Sequence, residues 1–238
     1  MNEKVNVKCG VMQPYLFPYI GYFQLIDHCD TYVILDDVNY INKGWINRNR
    51  ILVNGSDHLF TIPLEDASQN KLICDISIQK EDKWKSKFIK LIQMSYSKAP
   101  QFKIVFPLIE DAISNNENNL SAFIYYAQSV ILNYLQIDTR IIKSAGIYQN
   151  QNLKGQDRIL DICLKENTSN YINPIGGIEL YSKEIFEQNN IELHFIKSKS
   201  IEYKQFKNEF VPYLSIIDTL MFNDIDGVKN MLTQFELS

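Results

Sequence analysis

VNVKCGVMQPYLFPYIGYFQLIDHCDTYVIL, residues 5–35, reads as a strand, a helix and a second strand. Residues 5–12 form a short apolar run, and Pro18 suits the first turn of a helix, where the amide it lacks has no intrahelical partner. Ile20, Phe23 and Asp27 mark one face of that helix, and Tyr22, Leu25 and Ile26 widen its apolar stripe. Residues 31–35, TYVIL, are apolar without alternation, the pattern of a parallel strand covered on both faces. Parallel neighbours need a crossover, and a helix is the usual one, so these residues predict a βαβ unit.

Outward from this unit, residues 50–53 and 58–62 flank Asn54-Gly55, a turn pair that predicts a hairpin. Residues 73–78, ICDISI, alternate and predict a strand. Trp84, Phe88, Leu91 and Ile92 fall at helical spacing, as do Leu120, Phe123, Ile124, Ala127 and Ile131, and both sets read as core. The second half alternates element types: strands over 139–143, 170–172 and 191–196, helices over 156–165, 182–189 and 209–222, and a last helix carrying Val228, Met231, Leu232 and Phe235. The expectation is an α/β fold with a mostly parallel sheet, a β-hairpin and a helical middle and C-terminal region. A single domain over 1–238 is expected, with the polar stretch 114–119 as the place where lobes 1–114 and 120–238 would part.

With 238 residues, 45% hydrophobic and 22% charged, the chain is neither disordered nor collagen-like and is long enough to bury a core. A net charge of −4 lacks the basic footprint of a nucleic-acid binder. No run approaches the roughly 20 apolar residues of a membrane span, and Met1-Asn2-Glu3-Lys4 opens no signal-peptide core. A cytoplasmic protein is expected. Cys9, Cys29, Cys74 and Cys163 are scattered, as are His28, His58 and His194, so neither a disulfide framework nor a zinc site is expected. His194 falls on the polar side of its strand and reads as a surface histidine. No GxSxG elbow supports serine hydrolase chemistry.

Three polar clusters follow strands. The densest is LDDVNY (35–40) with KGWINRNR (43–50). Ligands in open α/β sheets sit outside the carboxyl ends of strands, where Asp36 and Asp37 stand. Successive strand residues face opposite ways, so one carboxylate would meet a ligand, as general base or hydroxyl acceptor, and the other would hold a basic neighbour. Asn39 adds a polar tip, Lys43, Arg48 and Arg50 offer cations to a phosphate, and Tyr40 or Trp45 offers a flat face to a base or sugar. The second cluster, residues 13–22, holds Gln13, Tyr15 and Tyr22 in the loop between first strand and first helix, without the glycines of a P-loop or dinucleotide fingerprint. The third, residues 173–181, holds Asn173 and the pair Gly176-Gly177, which would let a backbone approach a ligand closely. The first and third clusters are expected to share one cavity, with Asp37 and Gly177 on its wall.

MQPYLFPYIGYFQLI (12–26), VILDDVNYINKGWINRNRILVNG (33–55), YINPIGGIELY (171–181) and YKQFKNEFVPYLSIIDTLMFN (203–223) together resemble the WbqC-like family of bacterial proteins across nearly the whole chain. That family's genes occur among those for O-antigen and other surface polysaccharides. The resemblance implies work on nucleotide-linked sugars, often deoxy-amino sugars, in the cytoplasm, and includes Tyr203 among the site residues. A weaker similarity links the first βαβ unit to HxGH nucleotidyltransferases. Tyrosines, Tyr19 and Tyr22, stand where that motif has histidines; phenols bring no positive charge, so a shared fold with changed chemistry is implied.

The leading expectation is an enzyme that modifies the amino group of a nucleotide-linked sugar by acyl or aminoacyl transfer, with a thioester as donor. Asp37 would be the base, Arg48 and Arg50 the phosphate clamp, and Asn47, Asn49 or the Gly176-Gly177 backbone the oxyanion donors. The alternatives are a degenerate nucleotidyltransferase or ligase that binds a nucleotide, and a non-catalytic module that binds a sugar nucleotide or a partner enzyme. A homo-oligomer or an acyl-carrier partner fits the first.

Overall fold

The computed structural model describes residues 6–81, 83–207 and 209–238. The expected opening residues Met1 to Val5 lie outside them. The chain runs β1 (Lys8–Met12), α1 (Ile20–His28), β2 (Thr31–Ile34), β3 (Arg48–Val53), β4 (Ser56–Thr61), β5 (Leu64–Glu65), β6 (Ser77–Ile78), α2 (Lys83–Tyr96), α3 (Phe102–Ser114), α4 (Leu120–Leu135), β7 (Arg140–Ile142), α5 (Gly155–Lys165), β8 (Asn170–Pro174), α6 (Lys183–Gln188), β9 (Glu192–Ser198), α7 (Ile216–Phe222), α8 (Ile225–Leu232) and β10 (Phe235–Leu237).

Six strands form one sheet in the order β10-β9-β8-β1-β2-β7, parallel throughout except for β10. Counted along the chain within this sheet, the order is 3-2-1-4-5-6, a doubly wound arrangement whose strand order reverses at β1. Both faces are covered. Cys9, Val11, Val33, Tyr171, Leu193 and Phe195 pack on one side with Ile159 and Ile162 of α5 and Phe186 of α6. Tyr32, Ile34, Ile172 and Ile196 face the larger core, which takes in Leu25 and Ile26 of α1, Phe123 and Ile124 of α4, and Val228 of α8. Gly10 permits the close approach of α1: a Cβ there would stand 3.1 Å from Cys29 Sγ and 3.3 Å from Leu25. The larger core draws on residues from both sides of 114–119.

The mixed α/β fold, its mostly parallel sheet and its hairpin are as the sequence predicts. Asn54 and Gly55 both have positive φ, 50° and 81°, as the tight turn between β3 and β4 requires. Three local expectations need correction. Residues 73–78 are not one strand; Ile73–Asp75 is a 3-10 turn whose first two amides go to the loop after β2, Ile73 N to Val38 O and Cys74 N to Asp36 O. Only Ile216–Phe222 of the expected 209–222 helix is helical. Pro212 lacks an amide proton, the amide of Val211 donates to the Gln205 side chain instead, and Ser215 caps the helix through the Ile217 amide. Phe235 leaves the last helix and enters β10, antiparallel to β9. Residues 102–114, not read from the sequence, are helical with Pro107 inside; Val105, Ile109, Ala112 and Ile113 give the buried stripe. No helix of the described residues is long and apolar enough to cross a membrane.

Candidate functional site

The strand order reverses at β1, with β2 and β7 on one side and β8 and β9 on the other. At such a point the loops beyond the carboxyl ends diverge and leave a crevice. The loop after β1, residues 13–19, is held open by atoms far along the chain. The Asn49 amide of β3 donates to Leu16 O (3.2 Å) and Phe17 O (2.9 Å), the Leu16 amide donates to Ile46 O, and the Ile216 amide donates to Pro18 O. Behind it, the buried Gln128 amide of α4 donates to Tyr15 O (2.9 Å) and Tyr22 Oη (3.3 Å), and the Tyr22 hydroxyl donates to Gln13 O (2.9 Å). Burial pushes the Tyr22 phenol far up, so it remains a neutral donor.

Against this loop lies a cavity of about 630 Å³, walled by Tyr19 and Ile20 at the start of α1, by Lys197 to Tyr203 at and beyond the end of β9, and by Tyr213 and Thr219. An apolar chamber of about 220 Å³ adjoins it, lined by Tyr15, Pro18, Tyr19, Trp45, Asn49 and Tyr213. Tyr19 and Tyr213 belong to both chambers. At the start of α1, Tyr19 is an N-cap without a side-chain acceptor; the Tyr22 amide donates to Tyr19 O (3.1 Å), and the amides of Ile20 and Gly21 are left for solvent or a ligand. Its ring lies over Gly21, where a Cβ would come within 2.4 Å of it. Lys197 and Lys199 place cations at the same mouth, while Glu202 brings a carboxylate. Flat aromatic walls in one chamber and helix start plus lysines in the other suit a ligand with a planar ring at one end and phosphate at the other.

The structure divides the residues singled out in the sequence. Tyr15, Trp45 and Asn49 line the apolar chamber, and Tyr203 lines the larger one. Arg48 and Arg50 hold their guanidinium carbons 5.7 and 5.5 Å from the Trp45 ring centre. Arg48 also donates to the carbonyls of Gly44 and of Lys43, and Arg50 pairs with Asp57 at 3.3 Å. Lys43 and Asn39 are exposed. The side-chain amide of Asn47 accepts from Tyr40 Oη and donates to Ile62 O, both at 2.8 Å. The Asn49 carbonyl accepts from the Arg50 amide (2.8 Å). Gln13 Oε1 is buried without a hydrogen-bond partner among the described residues.

The acidic pair splits as strand geometry requires. Asp36 accepts from Ser121 (2.8 Å) and Ser144 (2.6 Å) and lines a separate cavity of about 400 Å³ with Lys143 and Tyr125. Asp37 accepts from Arg158 of α5 at 2.5 Å and from Gln151 at 3.0 Å. Its Oδ1 is buried without a partner among the described residues. Neither Asp37 nor Gly177 lines the two-chambered crevice. Each is linked to the first turn of α5 instead, Asp37 through Arg158 and the Gly177 turn through the bond from the Ser182 amide to Gln156. Gly177 answers a steric need: a Cβ would fall 2.2 Å from Asn173 Oδ1, whose own amide donates to Tyr171 Oη (2.8 Å). Around Gly176 the space is open. His194 is partly exposed, 3.1 Å from Asn170 and 3.3 Å from Glu192. Among the described residues no three His, Cys, Asp or Glu side chains gather as a metal site needs.

Sequence reading missed Arg158, Lys197, Lys199, Glu202, Tyr213 and Asp218. Two of these carried a signal. Arg158 interrupts the apolar face of α5 beside Ile159 and Ile162, and Asp218 is the one charge in IIDTLMF. A charged residue on a buried helix face needs a partner elsewhere.

Comparison with known proteins gives two matches. The model of the WbqC-like protein family matches residues 13–230. The chain is also similar to the uncharacterized protein Rv1507c of Mycobacterium tuberculosis, 27% identical over 219 residues that cover 91% of this chain and 93% of that one. No solved structure matches it significantly.

Proposed function

The chain belongs to the WbqC-like protein family, and from that premise we propose that it is an enzyme that takes a nucleotide-linked amino sugar into the two-chambered crevice and acylates its amino group. The observation that carries this reading is the pairing of an aromatic chamber with a lysine-bearing one at the start of α1, on the carboxyl edge of the sheet. Tyr15, Trp45 and Tyr213 receive the base by stacking. Lys197, Lys199 and the first-turn amides of α1 take the diphosphate. The sugar then reaches the wall formed by Glu202, Tyr203 and Thr219. In the transfer, the amine nitrogen attacks the carbonyl of an acyl or aminoacyl thioester, the carbon–nitrogen bond forms, the carbon–sulfur bond breaks and the thiolate departs. The amine proton passes to a base, for which Glu202 is the carboxylate on the crevice wall. Asp37, the base expected from sequence, is instead engaged by Arg158.

Calorimetric titration with UDP- and dTDP-linked amino sugars tests the binding half. Lys199→Ala should weaken affinity about tenfold or more, the worth of a charge-assisted hydrogen bond. Trp45→Ala should cost about 1–3 kcal/mol of stacking. Absence of binding by the parent protein, or affinity unchanged in both variants, overturns the reading. A second reading, a relative of the nucleotidyltransferases that binds a nucleoside triphosphate, draws on the 3-2-1-4-5 strand order; ATP displacing the sugar nucleotide from the same crevice would favour it.

A further inference from the structure

The wall of the larger chamber is backed by a charge that the nucleotide does not use. Asp218 is fully buried on α7, and its carboxylate is held by neutral donors: Tyr96 to Oδ1 (2.8 Å), and Tyr203 (2.8 Å) and Gln205 (2.6 Å) to Oδ2. Among the described residues no lysine, arginine or histidine pairs with it. Burial pushes the carboxyl above its ordinary value, and the three donors pull it back. An uncompensated buried carboxylate is costly, yet Tyr203, which donates to this one, also lines the chamber. Tyr203 and Thr219 both line the chamber, with their hydroxyls 3.2 Å apart.

The hydrogen-bond directions matter. Because Tyr203 spends its proton on Asp218, its oxygen can only accept from anything else. Thr219 presents a second hydroxyl beside it, and the negative charge behind them strengthens both as acceptors for a cationic donor. Lys197 and Lys199 line the same chamber and disfavour a cation near themselves, so the chamber offers one place for phosphate and another for its opposite.

We propose that Tyr203 and Thr219, backed by Asp218, form the subsite that recognises the ammonium group of the sugar. This rests on the reading of the crevice as a sugar-nucleotide site and names what selects an amino sugar over a neutral one. The amine enters as an ammonium and donates to Tyr203 Oη and Thr219 Oγ1; of the two protons it sheds on becoming an amide, one passes to the Glu202 carboxylate and the other to the departing thiolate.

The test uses two probes that differ at one group, UDP-glucosamine and UDP-glucose, titrated calorimetrically into the full chain at neutral pH. The parent protein should bind UDP-glucosamine about tenfold or more tightly than UDP-glucose, as expected for a charge-assisted hydrogen bond. Tyr203→Phe and Thr219→Val should each reduce that ratio, and Asp218→Asn should bring it to within about twofold of unity. Should Asp218→Asn fail to fold, Tyr203→Phe keeps the carboxylate and its two other donors and still reads the subsite. Equal binding of both probes by the parent, or a ratio kept in the folded variants, overturns this inference and leaves the crevice reading in place. Failure of the parent to bind either probe overturns both.

Discussion

Replacing Arg158 by methionine removes the partner of a carboxylate that has almost nothing else. Arg158 and Asp37 are 6% and 7% exposed. The guanidinium makes three bonds: Nη2 to Asp37 Oδ2 (2.5 Å), Nη1 to Asp37 O (3.3 Å) and Nε to Asn150 Oδ1 (3.0 Å). Without it, Asp37 keeps one donor, Gln151 at 3.0 Å. Leaving one charge of a buried pair behind costs about 3–5 kcal/mol. At about 2–4 °C per kcal/mol for a chain of this size, the melting temperature should fall by roughly 6–20 °C. Removing both charges together, in Asp37→Leu with Arg158→Met, leaves no stranded ion, so the double variant should be more stable than Arg158→Met alone. Urea denaturation followed by circular dichroism gives the free energies of the parent, of Arg158→Met and of the double variant. A loss below about 1 kcal/mol in Arg158→Met would refute the reasoning, because it would mean that Asp37 needs no buried cation. The same pair separates architecture from binding: Asp37→Asn should lower the melting temperature while UDP-glucosamine still binds, since Asp37 lies off the crevice wall.

Asn49→Ala strips two buried carbonyls, Leu16 O and Phe17 O, of their donor; it should cost about 2–4 kcal/mol in thermal or urea denaturation and loosen the crevice loop. Burial and the nearby Asp36 push the Cys74 thiol up to about 11 from 9.0. Its alkylation by iodoacetamide at pH 8 should therefore run about tenfold slower than that of an unperturbed thiol, the scarcer thiolate being partly offset by its greater nucleophilicity, and labelling at the ordinary rate would contradict the assigned environment. The folded Asp218 carboxyl titrates above its unfolded value. The stability it contributes is thus complete below the ordinary carboxylate value and is lost as pH rises through the folded one. Melting curves of the parent and of Asp218→Asn, which does not titrate, should show the parent gaining on the variant as pH falls from about 7 towards about 4.

The first βαβ unit was legible because its signals are local, a continuous apolar run at each strand and a helical stripe between, although Pro18 stands before the N-cap Tyr19 and not in the first turn. The β3–β4 turn was legible because Asn-Gly tolerates the positive φ values found there. Long-range partners were not. Asn47 and Asn49 read as oxyanion donors, yet their amides donate to carbonyls of Ile62, Leu16 and Phe17, which the fold brings to them. Gln205, which ties the crevice wall to Val211 and to Asp218, carried no such local signal. Tyr203 entered the candidate site through family resemblance; what it touches came from the structure.

Hydrogen–deuterium exchange of the full chain with and without saturating UDP-glucosamine tests the central claim most directly, because it reports where the ligand sits without any assumption about chemistry. Protection should rise in peptides spanning residues 13–22 and 197–214, the two walls of the crevice, and stay unchanged in 173–181. Bound ligand with protection confined to 36–43 and 173–181 would contradict the account and return the site to the acidic pair and the paired glycines.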